Sequence, residues 1–85
     1  MRVSVISAER AVFDGEADSV VAPAFDGLVG ILPRHAPFMT LLGEGVVRIS
    51  QGGGKLTRLS VMGGFLQVAS NVVRIVARRA GPADS

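Results

Sequence analysis

Hydrophobic and polar residues alternate along much of this chain with a period of two, which is typical of strands buried on one face. Val47 and Ile49 fall on one side of such a segment and Arg48 on the other. Val73 and Ile75 repeat the pattern further on. No segment keeps a helical period for long. The pattern predicts an all-β sandwich or barrel.

The breaks between these alternating segments predict eight short strands. Their expected bounds are Arg2 to Ile6, Arg10 to Asp14, Asp18 to Ala22, Leu28 to Ile31, Val46 to Ser50, Lys55 to Val61, Phe65 to Ala69 and Val72 to Arg78. Gln51 to Gly54 and Ser70-Asn71 predict hairpin turns. Gly63-Gly64 predicts a bulge or a close backbone approach rather than a phosphate loop, because no helical pattern or lysine follows it.

Composition narrows the class of protein. The chain has 85 residues and no cysteine, so it offers one domain and neither a disulfide framework nor a thiolate metal site. A single histidine and seven carboxylates make a metal site improbable. No apolar run reaches the roughly 18 residues of a membrane span, and the start does not resemble a signal peptide. We expect a soluble, cytosolic domain.

Charge is uneven along the chain but small in sum. The formal net charge is +2, with three basic and six acidic residues in positions 1–44 and six basic and one acidic in 45–85. The chain also lacks Tyr and Trp and has only four Phe for stacking on bases. Nucleic-acid or lipid binding is therefore disfavoured, and the basic residues are interpreted as a solvated rim.

Residues 27–40 form the stretch whose backbone is most constrained. Gly27 and Gly30 can adopt positive φ, while Pro33 and Pro37 fix their own φ, so a shaped loop is expected. The loop carries His35, the chain's only histidine. No nucleophile motif accompanies it, which favours a loop-fixing or interface hydrogen bond over catalysis.

The other polar and apolar candidates are less distinctive. The carboxylates of Asp14, Glu16, Asp18 and Asp26 are expected in turns, without the spacing of a catalytic pair or a calcium loop. The apolar side chains of the loop and its exit leave two interpretations open, a partner surface or a small satellite core. These residues are Leu28, Val29, Phe38 and Met39.

Four segments, in this order, carry a resemblance to a known family. They are SAERAVFDG from Ser7, GLVGILPRHAP from Gly27, GEGVVRI from Gly43 and VMGGFLQV from Val61. Together they resemble the N-terminal domain of the epsilon subunit of F-type ATP synthases, over nearly the whole chain. The resemblance implies a sandwich of two roughly five-stranded sheets over residues 1–80, followed by a short tail at 81–85.

The same resemblance implies a function. It implies a non-catalytic element of the central rotor stalk that binds the gamma subunit and the c-ring, couples proton translocation to ATP synthesis and needs no cofactor. Its place would be peripheral, on the cytoplasmic face of the bacterial inner membrane, without membrane insertion or nucleic acid. The loop set against the c-ring would comprise Phe25, Asp26, Gly27, Leu28, Val29 and Gly30. The residues toward gamma would be Ser7, His35, Phe38 and Thr40.

Two departures from the family pattern qualify this assignment. Leu28 is apolar where relatives often carry a polar or acidic side chain, which predicts a less electrostatic ring contact. The sequence also stops where the family usually continues into two inhibitory helices, and a naturally short form is favoured over a truncation. The alternative function is a stand-alone sandwich that binds a ligand, such as a nucleotide, in a cleft beside His35.

Overall fold

Apart from one turn of 3₁₀ helix at Gly52–Gly54, the regular elements of the described chain are all β-strands. The computed structural model describes residues 1–8 and 10–83. The strands are β1 (Arg2–Ser7), β2 (Arg10–Glu16), β3 (Ser19–Ala24), β4 (Gly27–Ile31), β5 (Phe38–Leu41), β6 (Gly45–Gln51), β7 (Lys55–Ala69) and β8 (Val72–Pro82). The predicted all-β class is confirmed.

Two strands differ from the predicted set. The sequence analysis does not predict β5, which is only four residues long and directly follows the proline-rich part of the loop. It also divides β7 into two strands at Gly63-Gly64. The strand is continuous because its pairing with β8 keeps the same register across the glycines, with Met62 opposite Arg79 and Gly64 opposite Ala77.

The strands form two layers that share β7 and β8. Their order is β2-β1-β8-β7-β6-β3-β4, with β5 beside the second half of β7. A straight strand of 15 residues would be about 50 Å long, whereas the molecule measures 26 × 26 × 24 Å. β7 therefore bends, and β8 bends with it. The first layer contains β1, β2 and β5 with the first part of β8 and the second part of β7. The second contains β3, β4 and β6 with the first part of β7 and the end of β8. Each layer thus contains five strands, as the family resemblance implies.

Gly63 and Gly64 form the bend. Their φ angles are 70° and 108°, in the region that favours glycine. A Cβ on Gly64 would overlap the carbonyl oxygen of Val76 and lie 2.9 Å from the Cα of Ala77. The predicted close backbone approach is confirmed, and it is what allows one long strand to serve both layers.

The core fills the space between the layers. Val47 and Ile49 are fully buried while Arg48 between them is exposed, which confirms the predicted alternation. The same holds for Val73 and Ile75 around Arg74 in β8. Removing such side chains from water is the main stabilising term for a sheet sandwich. Further members with no more than 2% exposure are Val3, Val5, Val20, Ala22, Ile31, Val61, Leu66 and Val68.

Two predicted turns connect the long strands. Ser70 and Asn71 join β7 to β8 with φ angles of 52° and 62°, so Asn71 occupies the left-handed region expected of it. The 3₁₀ turn Gly52–Gly54 joins β6 to β7. Both predictions are confirmed. The β7–β8 turn also contacts the candidate site described below.

Candidate interaction surface

The segment predicted to face the c-ring forms the tip and second strand of a hairpin, and the predicted strand Leu28 to Ile31 is confirmed. Gly27 to Gly30 lie in β4, which pairs with β3 from Ala24 opposite Gly27 to Val20 opposite Ile31. Phe25 and Asp26 form the turn between the two strands. Gly27 has a φ of 134°, as expected, but Gly30 does not have a positive φ. Gly30 does not use the positive φ that glycine allows, because it occupies an ordinary position in an edge strand.

Exposed apolar side chains concentrate between residues 25 and 41. Five of the seven large hydrophobic residues that are exposed in the described chain belong to this exposed apolar segment. They are Phe25, Leu28, Leu32, Met39 and Leu41, each more than 60% accessible. Such a concentration on a small domain is typical of a surface that another protein covers.

The two interpretations left open for the apolar loop residues both apply, to different residues. Leu28 and Met39 are 73% and 64% exposed, so they suit a partner surface. Val29 and Phe38 are half-buried and pack against the core. The sequence analysis does not single out Leu32 and Leu41. Alternation within β5 would have indicated Leu41, had that strand been predicted.

The gamma-facing candidates do not all lie together. Phe38 and Thr40 are opposite Val68 and Leu66 in β7, on the inward side of β5, and both are half-buried. The Phe38 ring lies 5.0 Å from the His35 ring, measured between centroids. Ser7 ends β1, and the order β5-β7-β8-β1 separates it from β5 by three strand spacings, about 14 Å. The structure therefore groups three of the four residues.

His35 stabilises the turn between β4 and β5. Its Nδ1 lies 2.7 Å from the carbonyl oxygen of Ala36, so this nitrogen carries the proton and donates it. The backbone N–H of His35 donates to the carbonyl of Leu32 at 3.1 Å. These contacts confirm the expected loop-fixing hydrogen bond.

A second contact ties this turn to the β7–β8 turn. Arg34 has a φ of 65°, which is costly for a side chain of its size. Its backbone N–H donates to the Oδ1 of Asn71 at 2.9 Å. Because Asn71 is itself fixed in a tight turn, the two turns hold each other. This arrangement gives the exposed apolar segment a defined shape.

The carboxylates are dispersed. Asp14 and Glu16 lie in β2 and not in turns, which corrects the expectation. Asp14 accepts from Arg2 at 2.9 Å, and Glu16 lies 3.5 Å from the terminal amine of Met1. Asp26 is at the β3–β4 turn. Among the described residues, no three histidine or carboxylate side chains are grouped closely enough to hold a metal ion.

Two surface depressions lie away from His35. One, of about 390 Å³, is lined by residues of the β1–β2 turn and the end of β8, including Ser7, Arg10, Ala80 and Pro82. The other, of about 290 Å³, is lined by Gln67, Ala69, Val72 and Arg74. Neither supplies the cleft beside His35 that the ligand-binding alternative requires.

The comparison with known families decides the identity of the domain. The family model for the beta-sandwich domain of the ATP synthase delta/epsilon chain matches residues 1–83. The chain belongs to this family. Family membership accounts for the order of the four recognised segments, each of which lies in or beside a strand of the sandwich.

Individual relatives agree with this assignment. The ATP synthase epsilon chain of Leptospira borgpetersenii is 49% identical over 76 residues, which are 89% of this chain and 59% of the relative. That of Desulforamulus reducens is 43% identical over 83 residues, 98% of this chain and 62% of the relative. This chain thus spans about three-fifths of the length of these curated relatives.

Solved structures confirm the fold. A chain of the Euglena gracilis mitochondrial ATP synthase, in a structure of OSCP, F1 and c-ring, superposes with a TM-score of 0.88 at 23% identity, covering 94% of this chain and 51% of the other. A chain from the Tetrahymena thermophila central stalk and c-ring gives 0.77 at 13% identity, covering 95% and 65%. The described residues contain no helix long and apolar enough to cross a bilayer.

Proposed function

We propose that this epsilon-type domain is a non-catalytic part of the rotor of an F-type ATP synthase. In this proposal it binds the gamma subunit and the c-ring, on the cytoplasmic face of a bacterial inner membrane, and couples proton translocation to ATP synthesis. The observation that supports it most is the family match over residues 1–83. The exposed apolar segment of residues 25–41 supplies a surface for such partners.

The proposed mechanism is mechanical. A rotor that transmits torque must not slip at the contact between the central stalk and the ring, so the part joining them has to be rigid and firmly bound. A standard protein interface buries about 800 Å² on each partner. Two such contacts would cover roughly a third of the 5107 Å² surface of this domain.

The hairpin tip is the proposed ring contact. Phe25 and Leu28 are 72% and 73% exposed there, beside the single carboxylate of Asp26. A contact made by these side chains depends on apolar burial more than on ion pairing, and it should therefore resist salt. The backbone N–H of Phe25 donates to the carbonyl of Leu41 at 3.1 Å, which links the tip to β5.

The turn around His35 is the proposed gamma contact. His35 and Phe38 lie together there, and the exposed side chains of Met39 and Leu41 extend the surface along β5. The order of strands separates Ser7 from this surface, so it would reach gamma only at the far side of the same layer.

A binding experiment with matched variants tests the proposal. The folded chain should be retained by immobilised gamma subunit and should bind detergent-solubilised c-ring, without hydrolysing ATP. Leu28→Asp should reduce ring binding and leave gamma binding intact, whereas His35→Ala should weaken gamma binding. Leu56→Asp is the control, since Leu56 is also an exposed leucine, at 52%, but lies outside residues 25–41. Absence of gamma binding by folded protein would overturn the proposal.

A further inference from the structure

Two arginines face each other on the outer surface of the second layer. Arg48 in β6 is the register partner of Arg58 in β7. Their neighbours Val47, Ile49 and Leu59 are buried in the core, so both arginine side chains project outward. Directly opposed residues of an antiparallel pair have Cβ atoms about 5 Å apart. Like charges on directly opposed residues disfavour the pairing.

The described part of the chain offers no carboxylate to offset this repulsion. Its two ion pairs, Arg2 with Asp14 and the Met1 amine with Glu16, lie in the other layer and join the start of the chain to the edge strand β2. On the other side of β6, the register partner of Arg48 is Val21 in β3. The Nε of Arg58 is also buried and has no hydrogen-bond partner among the described residues. A buried N–H without an acceptor is destabilising.

Hydroxyl groups flank the two arginines. Ser50 follows Arg48 by two positions in β6, and Ser60 follows Arg58 by two positions in β7, so all four side chains lie on one face. Because the strands are antiparallel, the serines lie on opposite sides of the arginine pair. The face therefore presents two guanidinium groups between two hydroxyl donors.

We propose that Arg48 and Arg58 form a binding site for a phosphate group. One guanidinium can already satisfy a carboxylate through a bidentate pair, whereas two opposed guanidiniums match the larger number of oxygens on phosphate. Ser50 and Ser60 are four residues apart along the strands, about 13 Å, so one phosphate can contact at most one of them. A phosphate monoester carries about −1.5 to −2 charges at pH 7, which would neutralise the pair. A free phosphate compound and a phospholipid headgroup share this chemistry.

The site is separate from the surface of the proposed gamma contact. Arg48 and Arg58 lie at the middle of the second layer, whereas the turn around His35 and β5 belong to the first. The relatives are named only as epsilon chains of ATP synthases, so phosphate binding would be an additional property of this domain. The hairpin of the proposed c-ring contact shares the second layer, with Gly30 two strands from Arg48, but neither arginine belongs to that hairpin. Phosphate binding can therefore be present or absent independently of gamma binding.

A titration of the folded chain tests the site. Inorganic phosphate and pyrophosphate are added at constant ionic strength while the Nε–H resonances of arginine are followed by NMR. The Arg58 resonance should shift with saturable binding. Arg48→Gln should weaken binding at least about tenfold, since hydrogen bonds to a charged group are lost. Arg58→Gln should have a similar effect. If Arg58, which is half-buried, is necessary for folding, Arg48→Gln alone still tests the site.

Arg74→Gln is the matched control, because Arg74 is an exposed arginine opposite Gln67 on the outer face of the other layer. It should leave phosphate affinity unchanged. Binding to vesicles of phosphatidylglycerol but not phosphatidylcholine, with the same dependence on Arg48, would indicate a headgroup as the natural source. Saturable binding without vesicle association would indicate a free phosphate. An absence of saturable binding, or equal losses in the Arg48 and Arg74 variants, would overturn the proposal.

Discussion

Gly64 in the bend of β7 and Gly30 in the edge strand β4 differ in what surrounds them. A Cβ at Gly64 would overlap the backbone of β8, whereas a Cβ at Gly30 would meet no atom within 4 Å. The φ of Gly64 is 108°, and that of Gly30 is not positive. The bend therefore depends on glycine to fold, while position 30 of the hairpin tolerates other residues and remains available for contacts with a partner.

The largest effect is expected in the bend. Gly64→Ala should lower the free energy of unfolding by about 3 to 5 kcal/mol, because the new Cβ overlaps the Val76 carbonyl and the φ is unfavourable for alanine. Urea unfolding followed by circular dichroism measures the loss. The control is Gly81→Ala, whose Cβ would meet nothing within 4 Å, and which should change stability by less than about 1 kcal/mol. Similar losses at both positions would remove the contrast.

Leucines should show the same contrast at a smaller magnitude. Leu66 is fully buried just past the bend, and Leu66→Ala should cost about 3 kcal/mol through lost burial and the cavity it leaves. Leu28 is 73% exposed in the hairpin, and Leu28→Ala should cost less than about 0.5 kcal/mol. Thermal unfolding of the two variants side by side checks this. A large loss for Leu28→Ala would mean that the hairpin leucine has a packing role.

Gly27 is the one glycine of the hairpin strand that requires its residue type. Its φ is 134°, although a Cβ there would meet no neighbour. Gly27→Val should therefore cost about 1 to 3 kcal/mol through backbone strain alone. The free energy of unfolding from urea titration measures it. A neutral result would show that the β3–β4 turn can change its conformation.

Gly30→Val is expected to have the smallest effect, and of opposite sign. Valine favours a strand over glycine by up to about 1 kcal/mol, and the position offers both space and an ordinary φ. The same urea titration should show unchanged or slightly increased stability. A loss as large as that of Gly27→Val would mean that Gly30 makes a close approach that is absent from this structure.

Local patterns in the sequence were sufficient for the elements that depend on local chemistry. Alternation around Ile49 and Ile75 identified core faces, and Asn71 identified a tight turn. Features that depend on which strands are neighbours could not be predicted in this way. The continuity of β7 through Gly64 is one such feature, since pairing with β8 maintains it.

The candidate surface was predictable only in part for the same reason. Residues 27–40 were singled out from their prolines and glycines, but the exposure of Met39 and Leu41 follows from β5, whose pairing partner lies far along the chain. The separation of Ser7 from His35 follows from the strand order. The opposition of Arg48 and Arg58 is a consequence of register, which neither strand reveals alone.

The pairing of β1 with β8 has a consequence for how the domain forms. Val3 lies beside Val73 in a parallel ladder, so contacts between the first and last strands join residues about 70 positions apart. Pairings of such sequence separation slow folding, because a long loop must close before they contribute. During synthesis, β1 can form its hairpin with β2 early, but its other edge must wait until β8 has left the ribosome. We therefore expect closure of the sandwich to be a late and cooperative step.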